Sequence, residues 1–185
     1  MKLDPENTFF VADTHLRHKK ILVYQPNRKY SDIDEMNEAL IRNWNETVPE
    51  GATVIHHGDF AFASKAKIKE YRERLNGRII LILGNHDYYS EVVGAFGEDN
   101  IFDSKIYRVG SQLIHSCHFP MASWSDAEDG SWQLHGHYHG HKVDDTMYKR
   151  MDVGIDTHPA HRPYTFKEIE RYMSKRTLTP VRHPE

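Results

Sequence analysis

The chain has 185 residues, 38% of them hydrophobic, enough to close a core as a single domain over residues 1–185. A formal net charge of −3 excludes the global basic field that drives unspecific nucleic-acid binding. One cysteine excludes an internal disulfide, and no apolar run reaches membrane-spanning length. The first residues, Met-Lys-Leu-Asp-Pro-Glu, lack the apolar core of a signal peptide, so a soluble cytoplasmic protein with no membrane partner is expected.

In chain order, Thr8–Ala12 predicts a short buried strand that ends at Asp13. Over Asp34–Val48, Met36, Leu40, Trp44 and Val48 recur at helical spacing, predicting an amphipathic helix capped by Asp32 or Asp34. Thr53–His57 predicts a strand feeding Gly58-Asp59. A helix capped by Ser64 then turns Ile68, Tyr71 and Leu75 inward and stops near Asn76-Gly77. Arg78–Leu83 is nearly all apolar, as a strand covered on both faces should be, and leads into Gly84-Asn85-His86-Asp87. This strand–helix–strand alternation is the signature of βαβ units. In the second half, Lys105–Val109 and Gln112–Ser116 flank Gly110-Ser111, a link that favours a type II′ hairpin. Trp132–His135 and Met151–Ile155 predict two further strands, Phe166–Lys175 a closing helix, and Ser123–Ser131 a loop.

The 14 histidines are the compositional anomaly, and many of them sit beside Asp, Asn and Gly. Five clusters of metal-ligand residues follow predicted strands: Asp13-Thr14-His15, Gly58-Asp59, Gly84-Asn85-His86-Asp87, His118 and His135-Gly136-His137-Tyr138-His139. Strand ends are where open α/β folds gather their ligands. Residues i and i+2 point the same way, so Asp13 and His15 can face one cation, and alternate histidines of an extended 135–139 segment can do likewise. Asp59 has two oxygens and suits a bridge between two metals. Each cluster alone also reads as something plainer: a solvated loop at Asp13, a helix-capping turn at Asp59, an adventitious histidine tract at 135–139. The functional reading rests on their combination.

This ordered set resembles the calcineurin-like metallophosphoesterase superfamily, whose fold is a two-sheet β-sandwich flanked by helices, an α/β (α+β) arrangement in four αββα layers. Met36-Asn37-Glu38 with Asn43-Trp44-Asn45, and Val153-Gly154-Ile155-Asp156, are similar to a small bacterial and phage subgroup. Arg17 and His57 depart from it, standing where glycine and an aliphatic residue are usual. The resemblance implies Asp13, His15, Asp59 and His139 on one metal and Asp59, Asn85, His118 and His137 on a second. It also implies His86 as the catalytic histidine, supported by Asp87.

Two divalent ions outweigh the two ligand carboxylates, leaving a positive cluster that attracts a phosphate ester and generates hydroxide near neutral pH. Mixed oxygen and nitrogen ligands suit Mn²⁺, the first choice here, as well as Fe²⁺, Zn²⁺ or Ni²⁺. His86 is expected to protonate the leaving oxygen or steady a phosphoryl oxygen, with Asp87 orienting its ring. Arg17, His18 and Arg28 are candidates for contacting substrate phosphate, and His56, His115, His135, Asp152 and Asp156 for orienting ligands. Trp124, Trp132, Tyr88, Tyr89 and Tyr138 are read as core or lid packing rather than base-stacking residues. Cys117 is read as packing.

The expected function is hydrolysis of a small phosphate ester or nucleotide, with phosphodiesters favoured. The alternatives on the same site are a phosphomonoesterase or nucleotidase and a nuclease, the runner-up among enzymes. The absence of a net positive charge weighs against long nucleic acids as substrates. From a different class, a non-catalytic, metal-stapled scaffold of the same fold would bind a protein partner.

Overall fold

A computed structural model describes residues 1–141 and 149–176. Two five-stranded sheets form its centre. The first runs β10 (Tyr164–Thr165), β2 (Thr8–Val11), β3 (Thr53–His56), β4 (Arg78–Ile82), β5 (Ile101–Phe102). Its last four strands are parallel, and β10 pairs antiparallel with β2. The second runs β1 (Lys2–Leu3), β6 (Ser104–Val109), β7 (Gln112–Cys117), β8 (Trp132–His135), β9 (Arg150–Asp152), with β6 and β7 antiparallel and the other pairs parallel. The expected two-sheet sandwich flanked by helices is present.

The apolar runs of the first sheet are continuous because both faces are covered. Phe9, Val11, Val54, Ile79 and Leu81 pack with residues of α2 (Ile33–Thr47), α3 (Lys65–Glu73) and α4 (Tyr89–Phe96). The intervening Phe10, Ala12, Ile55, Ile80 and Ile82 pack with Tyr107, Val109, Ile114, Leu134 and Met151 of the second sheet. In α5 (Phe166–Met173), Phe166, Ile169 and Met173 join this second core, and the Phe166 ring stacks on Trp132 at 5.5 Å. Thr165 and Glu168 close the start of α5 as a capping box.

Asp32, of the two proposed caps, starts α2: one carboxylate oxygen accepts from the amides of Asp34 and Glu35 at 2.9 and 2.8 Å. Trp44 is 1% exposed and donates its indole N–H to the Asn76 carbonyl, fixing the turn before β4. Gly110 adopts φ +59 between β6 and β7 while Ser111 keeps negative φ, matching the type II′ expectation. Ser64 precedes α3 without a capping side-chain bond. The strand expected over 151–155 ends at Asp152, and 155–157 forms a 3₁₀ turn. The elements not predicted are short: β1, β5 and β10 have two residues each, α1 (Ile21–Tyr24) four and α4 eight. No helix among the described residues is long and apolar enough to cross a membrane.

In register, Val11 lies opposite His56 and His56 opposite Leu81, so β2, β3 and β4 end level. The chain leaving β9 pairs with the end of β2: Ala12 donates to the Val153 carbonyl, and Ile155 to that of Ala12. That junction brings the loops of both sheets to one edge.

Candidate metal centre

Beyond the level strand ends, the backbone abandons strand geometry. The non-glycine residues with positive φ include Asp13 (57°), His15 (46°), Arg17 (65°), Asp59 (57°), His137 (73°) and His139 (51°). Left-handed backbone at such residues costs on the order of 1–3 kcal/mol each, and it persists where the surrounding structure enforces it. Here the expectation for 135–139 is corrected. The segment is a tight turn, and left-handed backbone rather than strand alternation aims His137 and His139, while His135 is buried with its Nδ1 beside the Gly136 carbonyl.

The turn brings ligand atoms together in two groups. Oxygen or nitrogen atoms of Asp13, His15 and His139 lie within 4.8 Å of one another, as do those of Asp13, Asp59 and His118. Asp59 Oδ2 is 3.5 Å from His15 Nε2 and 3.6 Å from His118 Nε2, while Oδ1 accepts the His86 amide. Asn85 Oδ1 lies 3.0 Å from both His118 Nε2 and His137 Nδ1. All seven expected ligands therefore come together: Asp13 is common to both groups, and Asp59 Oδ2 lies within reach of His15 and His118.

The donor set fits cations. His118 Nδ1 faces the His57 carbonyl at 2.6 Å, so that nitrogen carries the proton and donates. The bare Nε2 lone pair then points at the oxygens of Asn85 and Asp59, an arrangement that a cation between them makes favourable. His139 Nδ1 is 2.7 Å from Asp156 Oδ2, which likewise leaves Nε2 for the site, 3.3 Å from His15 Nε2. His15 Nδ1 is buried without a hydrogen-bond partner among the described residues. Burial, then the charges of Asp152, Asp59 and Asp156, pushes the Asp13 carboxyl well above the usual carboxylate range. Burial, then nearby His139 and Arg28, holds His15 well below the usual imidazole range. Crowded acids gain from a cation, and a neutral imidazole is the ligating form.

Two expectations need correcting. Arg28 does not face a substrate. It is 2% exposed, and its guanidinium holds both Asp156 oxygens at 2.6 and 2.7 Å and donates to the carbonyls of Asp13 (2.6 Å) and Thr14 (3.0 Å). Asp87 does not reach the His86 ring. Its carboxylate accepts the amides of Asp59, Phe60 and Gly84, and so pins the Asp59 loop to the end of β4. Burial raises its pKa, against those amides.

The other candidates fall around this core. The His86 ring is exposed, 4.7 Å from Phe62 and 5.8 Å from His15. Arg17 is exposed and keeps a φ that glycine would adopt without strain, and half-buried His18 packs on Phe62 at 4.1 Å. Asp156 holds His139, and Asp152 accepts the amides of Gly140 and Gly154, securing the histidine turn. The Gly58 amide donates to His56 Nδ1, whose Nε2 faces the Thr14 hydroxyl. On the opposite face, His57 Nε2 meets Ser116 Oγ at 2.7 Å, and Ser116 Oγ meets the Tyr107 hydroxyl at 2.7 Å, so a polar chain joins β3 to β7. Burial, chiefly, lowers the His57 pKa to about 3.

The calcineurin-like phosphoesterase profile matches residues 7–180, a span that takes in every one of these candidate ligands. The chain belongs to that family. An uncharacterized protein of Methanocaldococcus jannaschii is 32% identical over 183 residues, 94% of this chain and 97% of the relative. A crystal structure of a protein of unknown function from Aquifex aeolicus superposes with a TM-score of 0.71 at 22% identity, covering 89% of this chain and 98% of that one, a likeness of fold. An archaeal phosphodiesterase gives a TM-score of 0.46 at 20% identity over 80% of this chain and 81% of its own. Membership makes the chain a metal-dependent phosphoesterase, a hydrolase.

Phe62 and Phe119 were not anticipated as site residues. Phe119 packs on His118 at 5.0 Å and on His137 at 4.7 Å. Their sequence signal is position alone: each follows a ligand cluster and is apolar where a loop would ordinarily be polar.

Proposed function

We propose that the chain is a two-metal phosphodiesterase in which Asp13, His15, Asp59 and His139 hold one divalent ion and Asp59, Asn85, His118 and His137 hold the other. The observation that carries this reading is Asp59 Oδ2 between His15 Nε2 and His118 Nε2, at 3.5 and 3.6 Å. The mixed oxygen and imidazole donors accept Mn²⁺, Fe²⁺, Zn²⁺ or Ni²⁺, and Mn²⁺ is the first ion to test. When bound, the ions supply an activated water and offset charge developing on the phosphoryl oxygens. His86 gives a proton to the departing ester oxygen; its exposed ring stands beside His15, and its amide is anchored on Asp59 Oδ1. Arg17 and His18, at the rim, contact the non-bridging phosphate oxygens, whereas Arg28 and Asp87 hold the loops that carry the ligands. Diesters are favoured because Asn85 and His86 stand exposed at an open edge, leaving room on both sides of the phosphorus.

The test is turnover of bis(p-nitrophenyl) phosphate and p-nitrophenyl phosphate by Mn²⁺-loaded protein and by His86→Asn. Hydrolysis of the diester, falling about 10²- to 10⁴-fold in the variant with metal content unchanged, is expected. Unchanged turnover in His86→Asn removes the role of that residue, and an inert metal-loaded wild type removes the function.

A further inference from the structure

Among the described residues, the exposed Phe, Tyr and Trp side chains are Tyr24, Phe62, Tyr88, Tyr89, Phe119 and Tyr138. Three of them, Phe62, Phe119 and Tyr138, pack on ligand histidines of the proposed metal centre. Phe62 and Phe119 follow Asp59 and His118 closely, Tyr88 and Tyr89 follow Asp87, Tyr138 lies between two ligand histidines, and Tyr24 packs on His18 at 6.1 Å. Exposed single apolar residues are ordinary, but exposed rings packed on the ligand histidines are not. Rings standing at a catalytic centre suit a ligand that itself carries rings.

The two phenylalanines are distributed unequally over the centre. Phe62, 37% exposed, packs on His15, His18 and His86, beside the first ligand group and the proposed proton donor. Phe119, 45% exposed, packs on His118 and His137 of the second. A ring thus stands beside each half of the cluster, and the two ester limbs of a diester depart from phosphorus on different sides.

Resting on the two-metal reading above, we propose that Phe62 and Phe119 are two stacking subsites flanking the phosphorus, and that the substrate is a phosphodiester joining two nucleosides. Rings rather than aliphatic side chains at the rim favour planar groups over lipid chains, because aromatic side chains stack on any base through its π-face. The formal charge of −3 favours a dinucleotide-sized substrate over a long strand, which would need a basic track. One water is consumed: its oxygen bonds to phosphorus, one P–O ester bond breaks, and the leaving oxygen departs as an alcohol with the proton from His86. The products are a nucleoside and a nucleoside monophosphate.

The experiment compares kcat/KM of Mn²⁺-loaded wild type, Phe62→Ala and Phe119→Ala on thymidylyl-thymidine, on the two diesters in which one thymidine is replaced by methyl, and on a glycerophospholipid diester. Each alanine variant should lose roughly 5- to 150-fold on the dinucleotide, the range set by stacking one base. Each loss should vanish on the one methyl diester that lacks the matching base, Phe62→Tyr and Phe119→Trp should restore activity, and metal content should not change. A general structural defect would not single out one ester limb. Equal losses on all diesters, wild-type indifference to removal of either base, or preference for the lipid would each overturn the proposal while leaving the phosphodiesterase reading in place. A metal-loaded wild type inert on every ester would remove that reading itself.

Discussion

Arg28→Met offers a demanding perturbation, because the guanidinium joins three parts of the site at once. It grips Asp156, which holds His139, and the carbonyls of Asp13 and Thr14, where β2 gives way to the ligand loop. Both side chains of the pair are 0% exposed. Burial alone would raise the Asp156 pKa, but hydrogen bonds from Arg28 and His139 overcome it and bring it down from 3.8 to about 2. At 1.36 kcal/mol per unit, that shift corresponds to about 2–3 kcal/mol of stability at neutral pH. Removing Arg28 also strands a buried carboxylate, which raises the expected loss to about 3–5 kcal/mol, a large share of a typical domain's 5–15. Urea unfolding of the metal-free protein at pH 7 measures it. The folded-state pKa is depressed, so the contribution is complete above the unfolded value near 3.8 and disappears as pH falls through about 2. In the variant the stranded carboxylate keeps the burial that raises its pKa and loses the Arg28 bonds that lowered it. The gap between wild type and variant should therefore narrow as pH falls, beginning above the unfolded value near 3.8. Arg28→Met/Asp156→Asn should recover part of the loss, since no buried charge remains. A single variant within about 1 kcal/mol of wild type, or a gap that widens in acid, would refute this account of the clamp.

Gly58→Ala should destabilise by about 2–5 kcal/mol in the same unfolding assay, since φ is +92° and a Cβ would lie 2.5 Å from the Gly84 amide nitrogen and 2.7 Å from His118 Nδ1; a loss under about 1 kcal/mol would contradict the close approach. His57→Leu should flatten the acid-side loss of stability. With a folded pKa of about 3 against an unfolded value near 6.5, the wild type takes up a proton on unfolding between those limits, which contributes up to about 1.4 kcal/mol per pH unit. Equal slopes for wild type and variant in metal-free protein from pH 4 to 6 would count against a neutral buried His57.

The parallel half of the fold was readable because each strand there carries enough apolar residues to cover two faces, as Ile79 to Ile82 do, and because Met36, Leu40 and Trp44 repeat at a helical period. The two-residue strands escaped because a pair of residues has no period, and their partners are chosen by the tertiary fold. The candidate ligands were readable by type and by following strands, while their aiming was not: Asp and His tolerate left-handed backbone better than most residues, yet which of them adopts it, as Asp13, Asp59, His137 and His139 do, is set by surrounding contacts. Arg28 was misplaced for a related reason. An arginine near a phosphate-binding loop carries the same local signal whether it faces solvent or a buried Asp156 that lies 128 residues away in the chain. Asp87 looked like a partner of its neighbour His86, yet its three amide donors come from the loop after β3 and from Gly84.

Anomalous diffraction at the manganese edge, from crystals equilibrated with Mn²⁺, tests the two-metal centre most directly. Two peaks about 3.5–4 Å apart, with the Asp59 carboxylate between them, are predicted. A single peak, or peaks out of reach of Asp59, would contradict it.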